Sequence, residues 1–174
     1  MGSVSALTLI NMCIPDWLPE LVLLNDYSGD WESYLEALYK CYCDEFRDRD
    51  EVSIQGKRIG LRKHPQSYNK DYTFWHLIQE GSVEDDRTPD FRRCERIRWP
   101  MAVIKNSDSD QVKVWRNKRG NRERICLFVE GARYLVVLDD RGDYVLPLTA
   151  YPVSKEHRVR KLLREYEDYK KKQP

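Results

Sequence analysis

From Asp30 onward, Trp31, Tyr34, Leu35, Leu38, Tyr39, Tyr42 and Phe46 recur at three- and four-residue spacing, predicting an amphipathic helix that ends near Arg47. Asp30 is its expected N-cap, because a short carboxylate can accept the free N–H groups of the first turn. A shorter helix is predicted over 16–24, with Pro19 tolerated in its first turn. Gln55-Gly56-Lys57 reads as a turn between short strands that carry Ile54 and the Ile59/Leu61 pair. Residues 71–80 read as a helix stopped by Gly81 in a left-handed cap, and 82–89 as a loop. Asp90 is expected to cap a helix running to Trp99, with Phe91, Cys94 and Ile97 on its inner side and Pro100 ending it.

After Val112 the period changes to two. Val112/Val114, Ile125/Leu127/Val129 and Tyr144/Leu146/Leu148 alternate with other residues, and Gly-bearing turns separate the runs. Residues 133–138 are apolar on both faces, as a central strand covered on both sides requires. Ser154 is the expected cap of a last helix with Val159, Leu162, Leu163, Tyr166 and Tyr169 on one stripe. The pattern therefore predicts an α+β fold: N-terminal helices, a four-stranded antiparallel β-meander sheet and a C-terminal helix. The chain's 174 residues suit one compact unit, with a helical layer over 1–50 and the main α+β domain over 51–174.

Charge divides the chain more sharply than its net +1 implies. Residues 1–50 hold ten acids and three bases, leaving +8 for the remainder. Bases are densest from Arg87 to Arg124, and guanidinium forks suit phosphate oxygens. Arg92, Arg93, Arg98 and Lys113 are candidate phosphate ligands, and Trp99 and Trp115 among them could stack on single-stranded RNA. A solvated charged surface accounts for the same run. The acidic layer could fold over this basic face or simply pack as core. The five cysteines are odd in number and scattered, which argues against a disulfide framework or structural zinc and for reduced thiols. The apolar start at 6–14 lacks a basic flank and makes a poor signal peptide, and no run reaches membrane-span length. A soluble, cytoplasmic protein is expected.

His76 is the candidate proton carrier, since its ordinary pKa lies near neutrality and nearby arginines would lower it. A buried, carbonyl-bonded helix histidine is the competing reading. His64 and His157 read as surface residues. Thr149 and Tyr151, two apart on a strand, share a face where their hydroxyls could orient a phosphate, although both residue types also favour strands for packing alone. Arg92 and Arg96, four apart, could clamp adjacent phosphates, or Glu95 could tie one of them in an ion pair. RNA supplies its own nucleophile, the 2′-hydroxyl, so a base, an acid and cations suffice for cleavage without metal or cofactor. With three histidines and no carboxylate pair at metal spacing, a metallonuclease is disfavoured.

In order, Phe74-Trp75-His76, Arg93-Cys94-Glu95-Arg96-Ile97, and Tyr134-Leu135-Val136-Val137-Leu138 leading to Leu148-Thr149-Ala150-Tyr151 resemble a known superfamily. It unites barnase, EndoU, colicin-type and RelE-like ribonucleases, and the likeness is to its phage- and mobile-element-associated branches, over roughly Gly60 to Tyr166. The resemblance implies cleavage of tRNA or messenger RNA to 2′,3′-cyclic phosphate and 5′-hydroxyl ends, by a toxin or phage-conflict protein with a cognate antitoxin or immunity protein. It places His76, Arg96, Thr149 and Tyr151 in the catalytic set. A basic module that binds nucleic acid or an acidic protein without cutting is the alternative.

Overall fold

The computed structural model describes residues 13–174, so most of the apolar 6–14 segment lies outside the described residues. The first long helix, α1 (Trp31–Tyr42), starts where expected: Asp30 Oδ2 accepts the Ser33 N–H at 2.9 Å. Its last predicted turn widens into a π-turn, Cys43–Arg47, which buries Phe46. The helix predicted over 16–24 does not form. Pro19 has no N–H to donate, and this stretch bonds outward instead: Val22 N–H donates to Glu95 O at 2.9 Å, while Val22 O accepts Tyr34 O–H at 2.7 Å and Pro19 O accepts Trp99 Nε1–H at 2.8 Å. Among the described residues, only a 3₁₀ turn, Leu24–Tyr27, precedes α1.

Next come β1 (Ser53–Ile54), β2 (Lys57–Ile59), α2 (Tyr72–Ile78), β3 (Gln79–Glu80) and β4 (Thr88–Pro89). Gly81 is not a left-handed cap; α2 ends at Ile78 because the chain extends at once into β3, which pairs with β4. The loop predicted over 82–89 thus ends in a strand and contains a 3₁₀ turn, Glu84–Asp86. The helix predicted to end at Pro100 is two: α3 (Phe91–Glu95) and α4 (Trp99–Lys105). Pro100 sits in the first turn of α4, where its missing N–H costs nothing, so it starts a helix instead of ending one. Phe91, expected inside, is half exposed.

The four predicted strands are present as β5 (Lys113–Arg119), β6 (Arg122–Val129), β7 (Tyr134–Asp140) and β8 (Tyr144–Pro152), each antiparallel to the next. The sheet is nevertheless not a four-stranded meander. It has six strands in the order β1-β2-β8-β7-β6-β5 and is mixed, because β2 runs parallel to β8 with Ile59 opposite Val145. Gly60 permits that approach, since a Cβ there would lie 2.8 Å from the Tyr144 ring. The sheet curls: Arg116 on the edge strand β5 reaches Gln55 Oε1 in the β1–β2 turn and Asp140 Oδ2, and Lys57 on β2 bonds the same Asp140 carboxylate at 2.7 Å. The last helix is α5 (Glu156–Lys171); Ser154 does not cap it, and the position before the helix is Lys155 with no side-chain cap.

Each sheet face is covered. Ile125, Leu127, Val136, Leu138 and Val145 pack with Tyr34, Leu38, Tyr42, Phe74, Leu77 and Trp99 in the larger core. Cys126, Phe128, Leu135, Val137 and Trp115 pack with Val159 and Leu162 of α5 in the smaller one. β7 is buried along almost its whole length, as its two-sided apolar pattern requires. The apolar stripe of α1, with Tyr34, Leu38 and Tyr42, packs as core on the face of the sheet opposite α5. No helix among the described residues is long and apolar enough to cross a membrane.

Candidate functional site

Pleating and register place the site. On β6, Arg122, Arg124, Cys126 and Phe128 point to the α5 face, as alternate residues must. Across β7, Arg124 stands opposite Asp139, Cys126 opposite Val137 and Phe128 opposite Leu135; across β8, Leu135 faces Tyr151 and Val137 faces Thr149. One half of this face is apolar and packs under α5. The other half, beyond the helix's apolar contacts, carries Arg119, Arg122, Arg124, Asp139 and Thr149. The changeover is written along β6, whose inward-facing positions switch from arginine to cysteine and phenylalanine.

His76 lies at the β8 edge of this face. α2 turns Phe74, Leu77 and Ile78 into the larger core, leaving Tyr72 and His76, one turn apart, stacked on each other at 4.2 Å between centroids. His76 Nε2 is 2.9 Å from Glu84 Oε1. An ionised carboxylate only accepts, so Nε2 carries the hydrogen and Nδ1 is left as the basic nitrogen. Burial holds the imidazole below its ordinary pKa, with Arg87 and Arg62 acting the same way against the opposing Glu84 bond. His76 is therefore neutral at pH 7. With Arg62, Tyr72, Arg122, Asp139 and Arg141 it lines a cavity of about 100 Å³. Asp139 is almost wholly buried, with Arg141 Nε at 2.9 Å and Arg122 Nη1 at 3.8 Å. Neither of its oxygens receives a well-aligned hydrogen bond, so these contacts are Coulombic more than directional. Arg62 also lies 3.9 Å from the Tyr72 ring centroid, and a wider groove of about 480 Å³ on its other side adds Trp75, Tyr68 and Arg87.

Thr149 and Tyr151 share a face as expected, but they line a neighbouring cavity of about 150 Å³, with Arg119, Arg124 and Arg158. Arg93 is committed to structure. Its guanidinium donates to Gln79 O at 2.8 Å and to Thr149 Oγ1 at 3.1 Å and lies 5.0 Å from the Tyr151 ring centroid, tying α3 to β3 and β8. Arg92 stays exposed at the rim of a groove that Tyr151, His157 and Arg158 also line.

The remaining expected site residues are elsewhere. Arg96 donates to Arg92 O at 3.0 Å and sits over Trp99, whose ring packs in the larger core; this is the opposite side of the sheet, so Arg96 joins neither cavity. Glu95 is 3.5 Å from Arg96, the ion pair foreseen as the structural alternative. Arg98 turns to Glu45 of the acidic layer at 3.5 Å. Lys113 is paired with Glu130 at 3.1 Å. Trp99 and Trp115 are buried, 7% and 1% exposed, and neither offers a face for base stacking. His64 and His157 are exposed, as read from the sequence.

Arg62, Arg119, Arg122, Arg124, Arg141 and Arg158 were not among the site residues read from the sequence, and Asp139 entered only as a ligand in a metal-dependent alternative. The signal that could have found those on β6 and β7 is the polar-to-apolar switch at alternate positions. Among the described residues, no three of His, Cys, Asp and Glu converge as a metal-binding group. No protein-family model, curated protein or solved structure matches this chain.

Proposed function

We propose that the protein is a metal-independent endoribonuclease that works on the polar half of the α5 face of its sheet. The observation that carries this reading is the His76 cavity. A neutral imidazole with its tautomer set by Glu84 shares a small space with the guanidinium groups of Arg62, Arg122 and Arg141. A phosphodiester drawn in by these arginines would bring its 2′-hydroxyl to a base able to take the proton. The 2′-oxygen then forms a bond to phosphorus, the P–O5′ bond breaks and the 5′-oxygen leaves with a proton from water, and the arginines hold the charge gathering on the phosphoryl oxygens. Cyclic-phosphate and 5′-hydroxyl ends follow, with tRNA or messenger RNA as substrate. Asp139 positions Arg122 and Arg141. An origin as a toxin or phage-conflict protein, and a partner antitoxin, rest on the sequence resemblance alone.

A second reading, nucleic-acid binding without cleavage, is favoured by one observation: the Thr149 and Tyr151 hydroxyls border a different cavity from His76. The deciding experiment incubates wild type and His76→Ala with labelled tRNA and messenger RNA in EDTA and reads both cleavage and end chemistry. Cyclic-phosphate ends from wild type alone support the nuclease. Salt-dependent binding with no cleavage by either protein sinks it in favour of the binding module.

A further inference from the structure

Several cationic side chains on this protein are held by carboxylates. Arg116 is held by Asp140 and Glu123, Arg141 by Asp139, Arg133 by Glu156 and Lys57 by Asp140. The cavity beside Thr149 and Tyr151 gathers three arginines that are not. Arg119, Arg124 and Arg158 line it, and among the described residues no carboxylate lies within ion-pair distance of any of them. The cavity's one carboxylate, Glu165, is engaged by Trp115 Nε1–H and Asn117 Nδ2–H, each at 3.4 Å. Asp139, opposite Arg124 across the strands, is taken by Arg141. Arg124 Nε and Asn117 Oδ1 are buried without any partner. A buried guanidinium N–H left unbonded costs free energy, and three guanidinium groups against the single carboxylate of Glu165 leave the cavity with an excess of positive charge. A bound anion removes both penalties.

We infer that Arg119, Arg124 and Arg158, with the hydroxyls of Thr149 and Tyr151, form a second phosphate subsite. It takes the phosphodiester next to the one bound at His76 on the same RNA strand. Spacing supports the strand assignment. Arg122 lines the His76 cavity and Arg124 this one, and residues two apart on an antiparallel strand are about 7 Å apart, comparable to one nucleotide step of an extended single strand. The same geometry reassigns Thr149 and Tyr151: they bind a phosphate that does not react. The inference rests on the ribonuclease reading for its choice of RNA, but the anion site itself stands on the unpaired arginines.

The test uses full-length His76→Ala, so that no turnover intervenes, titrated with inorganic phosphate and with unstructured oligoribonucleotides carrying one, two or three phosphates. The readouts are arginine Nε–H resonances and binding affinity. The subsite predicts that phosphate perturbs Arg124 and Arg158, and that affinity rises steeply from one phosphate to two. Arg158→Gln, near the start of α5, and Arg124→Gln should each weaken oligonucleotide binding about tenfold and lower the salt slope by about one charge. Arg119→Gln, at an exposed position, is the variant that keeps the question answerable should Arg124→Gln fail to fold. Unchanged oligonucleotide affinity in folded Arg158→Gln and Arg119→Gln overturns the subsite, as does phosphate binding that oligonucleotides do not displace. If wild type cleaves RNA with unaltered KM in these variants, the nuclease stands and the subsite falls. If wild type never cleaves but Arg124 and Arg158 still bind the strand, the subsite stands and the nuclease falls.

Discussion

Replacing Trp115 with alanine separates two roles that the sequence allowed for the same indole. In the structure Trp115 is 1% exposed, lies edge-on to Tyr166 of α5 at 6.2 Å and packs in the smaller core with Cys126, Phe128 and Val159. Burying a side chain of this kind removes roughly 150–250 Å² from water, and at about 25 cal/mol per Å² that amounts to about 4–6 kcal/mol as an upper bound. Measured truncations of buried tryptophan cluster at about 3–5 kcal/mol. For a chain of this size each kcal/mol lowers Tm by roughly 2–4 °C, so Trp115→Ala should melt on the order of 10 °C below wild type. Trp115→Phe, which keeps an aromatic ring against Tyr166 and gives up part of the indole's packing and its weak N–H bond to Glu165, should lose less. Thermal melting by circular dichroism measures both variants. RNA affinity is read by fluorescence anisotropy well below the lower Tm, and Trp115→Phe should bind as wild type does. A stacking role would give the reverse: Tm unchanged, and RNA binding weakened by about 1–3 kcal/mol in either variant. That result would refute the assignment of Trp115 to the core.

Cleavage should show an acid limb whose midpoint lies below 6.5, because buried His76 must be neutral to act as base; Glu84→Gln removes the bond that favours the charged ring and should move the midpoint lower still. The same shift makes stability pH-dependent. The unfolded chain takes up a proton on this residue near pH 6.5 and the folded one only below that, so stability falls as pH drops through this window and is level above it; equilibrium unfolding of His76→Ala should lack that step. Asp140→Asn leaves Lys57 and Arg116 without their shared counter-charge and should cost about 1–3 kcal/mol in urea unfolding. Those bonds hold the Asp140 carboxyl well below the usual carboxylate range, so the stability it adds is present above about pH 4, is lost as acid protonates it, and is absent from the variant. Cys94 and Cys126, whose thiols burial pushes up to about 12, should resist alkylation in the native protein while exposed Cys13 reacts; mass spectrometry of the labelled native protein checks this.

Local physics was legible in the chain. The Asp30 cap, the α1 stripe, the two-sided apolar pattern of β7 and the four strands β5 to β8 all follow from spacing, because each depends on residues a few positions apart. Thr149 and Tyr151 were correctly placed on one face for the same reason. What spacing could not convey is which distant backbone satisfies a segment. Residues 16–24 gave up a helix because Glu95, Tyr34 and Trp99 supply partners from far along the chain, and Pro100 opens a helix because the chain turns between Arg96 and Arg98. The parallel pairing of β2 with β8 has no local signature either.

The candidate site divides along the same line. The sequence by itself determined that His76 sits on a helix, that arginines abound, and that hydroxyls end the last strand. Only tertiary structure decided which arginines line a common cavity. Arg96 and Arg98 turned away with the first layer of helices, and Arg93 was absorbed by carbonyl oxygens and Thr149. Arg62, Arg122, Arg124, Arg141 and Arg158, dispersed over nearly a hundred positions, were gathered by strand register and the placement of α5. Guanidinium groups look alike in a sequence. Strand register and the partners that the fold supplies separate an arginine absorbed into packing from one that faces a cavity.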